Sequence, residues 1–300
     1  MRVSVLINNY NYGRFLDYCL RSVINQSRPV DETIVYDDGS TDESIEILDR
    51  WRSRVTVIAN PNFGQAPGFN QANAINQAFA ASTGDVICLL DSDDAFLPKK
   101  VERVVKVFER QGDTIMVQHR FAEIDGLNRR TGFRRPLLKH VDPKQYINRT
   151  HNLMHLFAQT SGLAFRRSYL EQVLPIMPDE LDTVWSDMRL TRQAIFHGQI
   201  STCRSCLGKY RVHGQNDSDK LRDKRYQRRH RDQQYAFYNK IARKHGAAPI
   251  DVTQCLTCLD YGINQPGLSF IQRTVLLARS REPLQEKARI VANWASRQIR

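Results

Sequence analysis

Hydrophobic and polar positions change period repeatedly over the first 110 residues. Short apolar runs at residues 2–8, 33–36, 55–59 and 86–90 suit strands. Between them, apolar residues recur every three or four positions: Phe15, Leu16, Cys19, Leu20, Val23 and Ile24, then Ile45, Leu48 and Trp51, then Ala72, Ile75 and Phe79. Each set is one face of a helix. Ser40-Thr41-Asp42-Glu43 predicts a capping box at the second helix, with Ser40 as the cap. Repeated strand–helix units imply a mostly parallel sheet flanked by helices, an α/β fold. Val101, Val104, Val105 and Phe108 continue as a helix. Residues 114–121, 163–165 and 200–212 predict further strands, with a helix across 187–196. The polar stretch 125–150, with Arg129, Arg130, Arg134 and Arg135 around Gly132, predicts a mobile loop. Beyond Ser218 the period becomes helical, so residues 1–218 and 219–300 are expected to form a sheet domain and a helical extension.

The fourth predicted strand is the most informative. Five apolar residues, 86–90, run into Asp91, Ser92, Asp93 and Asp94. Such a run suits a strand buried on both faces, and open α/β sheets bind ligands at the carboxyl ends of their strands. Three crowded carboxylates repel unless a cation offsets them. A hard divalent ion carrying phosphate oxygens does so. An acidic turn that merely opens the next helix near Pro98 is the plainer alternative. An EF-hand is excluded, because Ala95 and Phe96 replace the ligand and the glycine its loop requires.

Composition adds limits. The 300 residues are 41% apolar, enough for a large core. No charged-then-apolar leader opens the chain, and no apolar run nears the ~18 residues of a membrane span, so a cytoplasmic protein is expected. The net charge of +12 is uneven. From residue 219 onward there are 17 Lys and Arg against 7 Asp and Glu. That tail suggests an anionic partner such as a membrane surface, with a solvated helical face as the alternative. Cys203 and Cys206, and Cys255 and Cys258, form two Cys-x-x-Cys pairs. The first pair lies in a predicted strand, where residues three apart face opposite sides, so zinc is not expected.

Over residues 1–215 several motifs occur in order. Val3 to Asn11 ends an apolar strand in Tyr10-Asn11. Asp37-Asp38-Gly39-Ser40-Thr41-Asp42 follows the second strand. Residues 76–84 precede the acidic strand, Asp91-Ser92-Asp93-Asp94 is an Asp-x-Asp, and Tyr210-Arg211-Val212-His213 comes late, with Asn216 and Ser218 after it. Together they resemble the inverting family 2 glycosyltransferases, which have the GT-A, Rossmann-like nucleotide-sugar fold. The resemblance implies transfer of a sugar from a nucleotide-diphosphate donor, UDP favoured, to a hydroxyl of a glycan or lipid-linked acceptor. It also implies Mn²⁺ or Mg²⁺ as cofactor and a role in cell-surface polysaccharide or lipid-linked glycan synthesis, and with the basic tail it leads to the expectation of a protein peripheral at the inner membrane face.

By the same resemblance, Asn8, Tyr10, Asp37, Asp38, Asn76, Asp91 and Ser92 face the donor. Asp93 and His213 hold the metal, with Asp94 as an alternate, and Thr160-Ser161-Gly162 lines the acceptor cleft. Asp187, in Trp185-Ser186-Asp187-Met188, is the general base, work typically worth ~10²–10⁴-fold; its plainer role is a helix N-terminal charge. Two departures stand out. Ile75 occupies a position where the family often has Arg, and the base motif has Ser186 in place of Glu. A nucleotidyltransferase is the first rival reading, but residues 8–13 contain no Lys and one Gly, unlike its basic phosphate loop. A nucleic-acid module is the second. The aromatics of the tail suit helix packing and no nucleic-acid motif appears, so no nucleic-acid partner is expected.

Overall fold

The computed structural model describes residues 1–134, 142–154, 156–255, 269–280, 282 and 284–298. Strand and helix alternate at first: β1 (Val3–Asn9), α1 (Gly13–Ile24), β2 (Glu32–Asp37), α2 (Ser44–Trp51), β3 (Thr56–Ala59), α3 (Pro67–Ala80) and β4 (Val86–Asp91). The four strands lie side by side in the order β3-β2-β1-β4, all parallel. In register, Asn8 stands beside both Tyr36 and Asp91, and Asn9 beside Asp37. The carboxyl ends of β1, β2 and β4 therefore meet along one edge.

Alternation within the strands explains the layers. Val3, Val5 and Ile7 of β1 face one side with Val35, Val86, Cys88 and Leu90, where they meet Leu16 and Leu20 of α1 and Leu48 of α2. Leu6, Ile34, Ile87 and Leu89 face the other side and meet Ala72 and Ile75 of α3. Burying each large side chain contributes about 1.5–3 kcal/mol, which fixes the strand register.

The chain continues through β5 (Ala95–Phe96), α4 (Lys100–Arg110), β6 (Thr114–Ile124), β7 (Arg130–Arg134), α5 (Pro143–Thr150), β8 (Leu163–Arg166), α6 (Arg167–Val173), α7 (Ser186–Ala194), β9 (Gln199–Arg211) and α8 (Lys224–Lys244). β8 joins β4 antiparallel, β6 joins β8 antiparallel, and β9 joins β6 parallel. β5 caps the sheet beside β9, and β7 pairs with β6. Two short helices, α9 (Phe270–Arg279) and α10 (Leu284–Gln298), follow, with Leu277, Ile290 and Trp294 clustered between them.

Two expectations need correction. Where a loop was predicted, Arg130–Arg134 is a strand and Pro143–Thr150 a helix capped by Asp142; residues 135–141, with Arg135, lie outside the described residues. Ser40 is not the cap of α2. Its hydroxyl donates to Asp37 and accepts from Asn11 N, while Asp42 Oδ1 accepts from Ser44 N. Past Ser218, α8 packs directly onto the sheet domain. Tyr235, Tyr238 and Ala242 of α8 pack with Tyr146, Ile147, Leu153 and Leu156, and Phe237 and Ile241 with Leu181 and Val184. Cys203 and Cys206 lie on β9 as expected, Cys255 is buried, and Cys258 lies outside the described residues.

Candidate active site

One cavity of about 590 Å³ opens at the carboxyl edge of the parallel strands. Asn8, Tyr10, Asp38, Asp91 and Asp93 line one side, and Trp185, Asp187 and Met188 line the other. His230, Gln234 and Tyr235 of α8 also line it.

Asp38 follows β2 and is held rigidly. Its Oδ1 accepts from Phe63 N at 3.0 Å and its Oδ2 from Asn62 Nδ2 at 2.8 Å. Gly39 makes this possible. Its φ is +75°, and a Cβ there would sit 2.6 Å from Asn62 N. Burial raises the Asp38 pKa, and the neighbouring Asp37 carboxylate adds to the rise.

Asp37 itself does not reach the cavity. It is fully buried, accepting from Asn9 Nδ2, Ser40 N and Ser40 Oγ. Its role is to tie β1 to the turn after β2. Asn76 is also elsewhere: its amide pairs with both backbone groups of Ile176, at 2.8 and 2.9 Å, and anchors the chain after α6. Ser92 donates its backbone N–H to Asn8 O, and its buried hydroxyl is not among the groups lining the cavity. These three residues, expected to face the donor, are not among the residues that line the cavity.

The acids at the end of β4 converge. One carboxylate oxygen from each of Asp91, Asp93 and Asp94 lies within 4.8 Å of the others. Burial pushes the Asp91 pKa up to about 7, with the Asp93 charge adding to the shift. Burial also raises Asp94 strongly, again reinforced by Asp93 and Asp91. Asp94 Oδ1 accepts from Arg211 N at 2.8 Å, while its Oδ2 is buried with no partner among the described residues. Arg211 Nε donates to Asp93 O at 2.6 Å. His213 Nε2 lies 3.0 Å from Asp93 Oδ2, and Asn216 Nδ2 donates to that oxygen at 3.3 Å.

A divalent ion fits this donor set. Crowded carboxylates, with Asp91 and Asp94 raised in pKa, and an orphaned oxygen on Asp94 are what a hard cation relieves, and His213 adds a nitrogen beside Asp93.

Asp187 occupies the first turn of α7. It is partly open to the cavity but enclosed by protein, which raises its pKa to about 6; the Arg192 guanidinium partly offsets the rise. Its Oδ1 accepts from Met188 N at 2.7 Å. Thr160 lines the cavity, and Ser161 supports the acids from below, its Oγ accepting from Asp91 N at 3.0 Å. Sequence reasoning missed Gln71, Lys100 and Arg211 as parts of the site. Lys100 is buried, donates to Ser161 O at 2.8 Å, and burial lowers its pKa to about 8. Arg211 stood inside the late Tyr-Arg-x-His motif, and Gln71 in a segment noticeable only for its Gln and Asn content.

With this geometry, comparison with known proteins is decisive. Residues 4–174 match the profile of Glycosyl transferase family 2. The chain belongs to this family. A relative in Nostoc sp., an uncharacterised glycosyltransferase, is 37% identical over 220 residues, covering 72% of this chain and 66% of the relative. The chain thus spans about two thirds of the length of that relative. Among solved structures, S. aureus TarS in complex with UDP aligns over 92% of this chain and 78% of its own, with a TM-score of 0.56 at 15% identity. The mannosyltransferase PcManGT from Pyrobaculum calidifontis, in complex with GDP-Man and Mn²⁺, covers all of this chain and 81% of its own, with a TM-score of 0.57 at 16% identity. These similarities establish the GT-A fold. Family membership displaces the nucleotidyltransferase and nucleic-acid readings.

Proposed function

We propose that this chain is an inverting glycosyltransferase that moves a sugar from a nucleotide-diphosphate donor, UDP-linked in preference, to an acceptor hydroxyl. The observation that carries the reading is one cavity lined both by Asp91 and Asp93, of the three converging carboxylates at the end of β4, and by Asp187 at the start of α7. Paired acidic walls of this kind divide the labour of a displacement at an anomeric carbon.

On the donor side, Asp38 and Asn8 receive the base, Asp38 accepting from a ring N–H, and Tyr10 borders it. Asp91 lies toward ribose and diphosphate. Asp93, with His213 beside it and Asp94 in reserve, would hold Mn²⁺ or Mg²⁺. Such an ion, when bound, offsets the charge that gathers on the leaving diphosphate. On the acceptor side, Asp187 takes the proton of the attacking hydroxyl. The new bond forms between that oxygen and the anomeric carbon as the bond to the diphosphate oxygen breaks, inverting the centre. The UDP complex of TarS supports uridine, and the Mn²⁺ complex of PcManGT supports the metal.

A lipid-linked or polysaccharide acceptor at an anionic membrane surface fits the basic tail in part. Several of its cations are already paired: Lys220 with Asp217, Arg222 with Asp219, Arg229 with Asp182 and Arg231 with Asp232. Lys224, Arg225 and Arg228 are exposed and have no ion pair among the described residues. No helix among the described residues is long and apolar enough to cross a membrane.

The deciding experiment is a mass-spectrometric screen of donor hydrolysis across UDP-, GDP- and TDP-sugars, with and without Mn²⁺. A UDP-sugar should be cleaved only with metal present. Absence of both cleavage and metal-dependent nucleotide binding would overturn the reading.

A further inference from the structure

Gln71 stands on α3 with its amide between the two walls of the cavity. Its Nε2 donates to Asp91 Oδ1 at 2.7 Å and to Thr160 Oγ1 at 3.2 Å. Its Oε1 accepts from the Ser186 hydroxyl. The three partners belong to different parts of the fold: the end of β4, the turn before β8, and the first residue of α7. Ser186 is fully buried and directly precedes Asp187.

The chemistry of an amide suits this place. It offers a donor and an acceptor from one end of a side chain. An ionised Asp91 only accepts, so Nε2 faces it and Oε1 is left for the Ser186 hydroxyl. A Glu at position 71 would set a second carboxylate against Asp91. An apolar residue would leave the buried Ser186 hydroxyl without its acceptor, which is costly. One turn earlier on the same helix, the backbone at Gly68 lies beside the entry to α7: a Cβ there would be in van der Waals contact with Trp185 Cα at 3.4 Å. Backbone approach and side-chain bridge thus join the same two helices.

We infer that Gln71 is a positioning residue that fixes the acidic donor end and the base-bearing helix relative to each other. The inference rests on the reading of Asp187 as base. In-line displacement needs the hydroxyl, the anomeric carbon and the base held together, and a misplacement of ~1 Å costs on the order of 100-fold in rate. Gln71 touches neither proton nor leaving group. It acts through Asp91 and Ser186.

The test is a double-mutant cycle of Gln71→Met, nearly the same shape without the hydrogen bonds, and Ser186→Ala. Each single variant should lower kcat by ~10- to 100-fold, with a much smaller change in donor KM. The double variant should be little worse than the more impaired single, because the shared bond is lost only once. Independently of turnover, hydrogen exchange of the first-turn amides of α7 should quicken in Gln71→Met while the strands β1 to β4 stay protected. Additive losses in the cycle, or α7 exchange equal to wild type, would overturn the inference. If wild-type protein cleaves no nucleotide sugar, the functional reading falls, and the exchange measurement alone decides the bridge.

Discussion

His213 Nε2 and Asp93 Oδ2 lie 3.0 Å apart although 120 positions separate them in the chain. The contact brings the segment just after β9 to the end of β4, and it sets an imidazole against one of the two acids of the cluster that line the cavity. Tyr12 and Phe15 pack around the ring, with centroids 5.3 and 5.1 Å away, so its orientation is fixed. A partner that orients a metal-binding carboxylate is commonly worth ~10- to 100-fold in metal affinity. His213→Ala should therefore weaken Mn²⁺-dependent UDP binding by that amount, and Asp93→Asn should nearly abolish transfer with the fold intact. Titration calorimetry with Mn²⁺ and UDP, alongside a transfer assay, checks both; unchanged metal-dependent binding in Asp93→Asn removes Asp93 from the metal site, and unchanged binding in His213→Ala removes the imidazole.

Asp187 can act as a base only when ionised. With its pKa raised to about 6, turnover should climb with pH through about 6 and then level. Asp187→Asn should lower kcat by at least ~100-fold while leaving donor affinity alone. Because Arg192 offsets the effect of burial, removing that cation in Arg192→Gln should move the acid limb to higher pH. A limb that does not move, or a nearly active Asn variant, would assign the proton to another group.

Thermal stability should report the acidic cluster. Asp91 keeps its proton up to about pH 7 in the folded chain and releases it near 3.8 when unfolded. Between these values the folded state binds more protons, so unfolding free energy falls as pH rises across the window. Metal-free protein should melt at a lower temperature at about pH 8 than at about pH 5, and added Mn²⁺ should raise Tm more at the higher pH. Scanning fluorimetry at both pH values with and without Mn²⁺ reads this directly; equal metal shifts would contradict it.

At the surface, Lys224, Arg225 and Arg228 in the first two turns of α8 are exposed and have no ion pair among the described residues. Each contributes about 1 kcal/mol near an anionic bilayer, an attraction that fades with salt. Co-sedimentation with anionic but not neutral vesicles is expected at low salt, and loss of binding when all three become Gln. Equal binding to both vesicle types would make this face a solvated one.

The parallel half of the fold was legible because its signals are local. The run before Asp91 and the four-residue recurrence of α1 each lie within one element, and burial on both sheet faces follows from them. Asp38, Asp91, Asp93 and Asp187 were legible as well, since each sits at an element end next to a motif, and the structure gathers all four at one cavity. What escaped depends on partners far along the chain. Asp37 and Asn76 carry the right side chains, but Ser40 and Ile176 take up their hydrogen bonds. Ser40 has the sequence of a cap, yet Asp37 and Asn11 claim its hydroxyl. Gln71 has no motif around it at all, and its partners at 91, 160 and 186 meet only once the sheet has formed.

The family match stops at residue 174, whereas α7 begins at Ser186 and α8 at Lys224. The strands and following turns that carry Asn8, Asp38, Asp91 and Asp93 thus lie within the profile match, and the helices that carry Asp187 and Tyr235 lie outside it. On the proposed reading, donor choice and acceptor choice fall in different stretches of sequence. Grafting a relative's helical wall behind this sheet should redirect which hydroxyl is glycosylated without retraining nucleotide recognition, and directed evolution of acceptor range can be confined to α8 and the segment from Leu153 to Ala158.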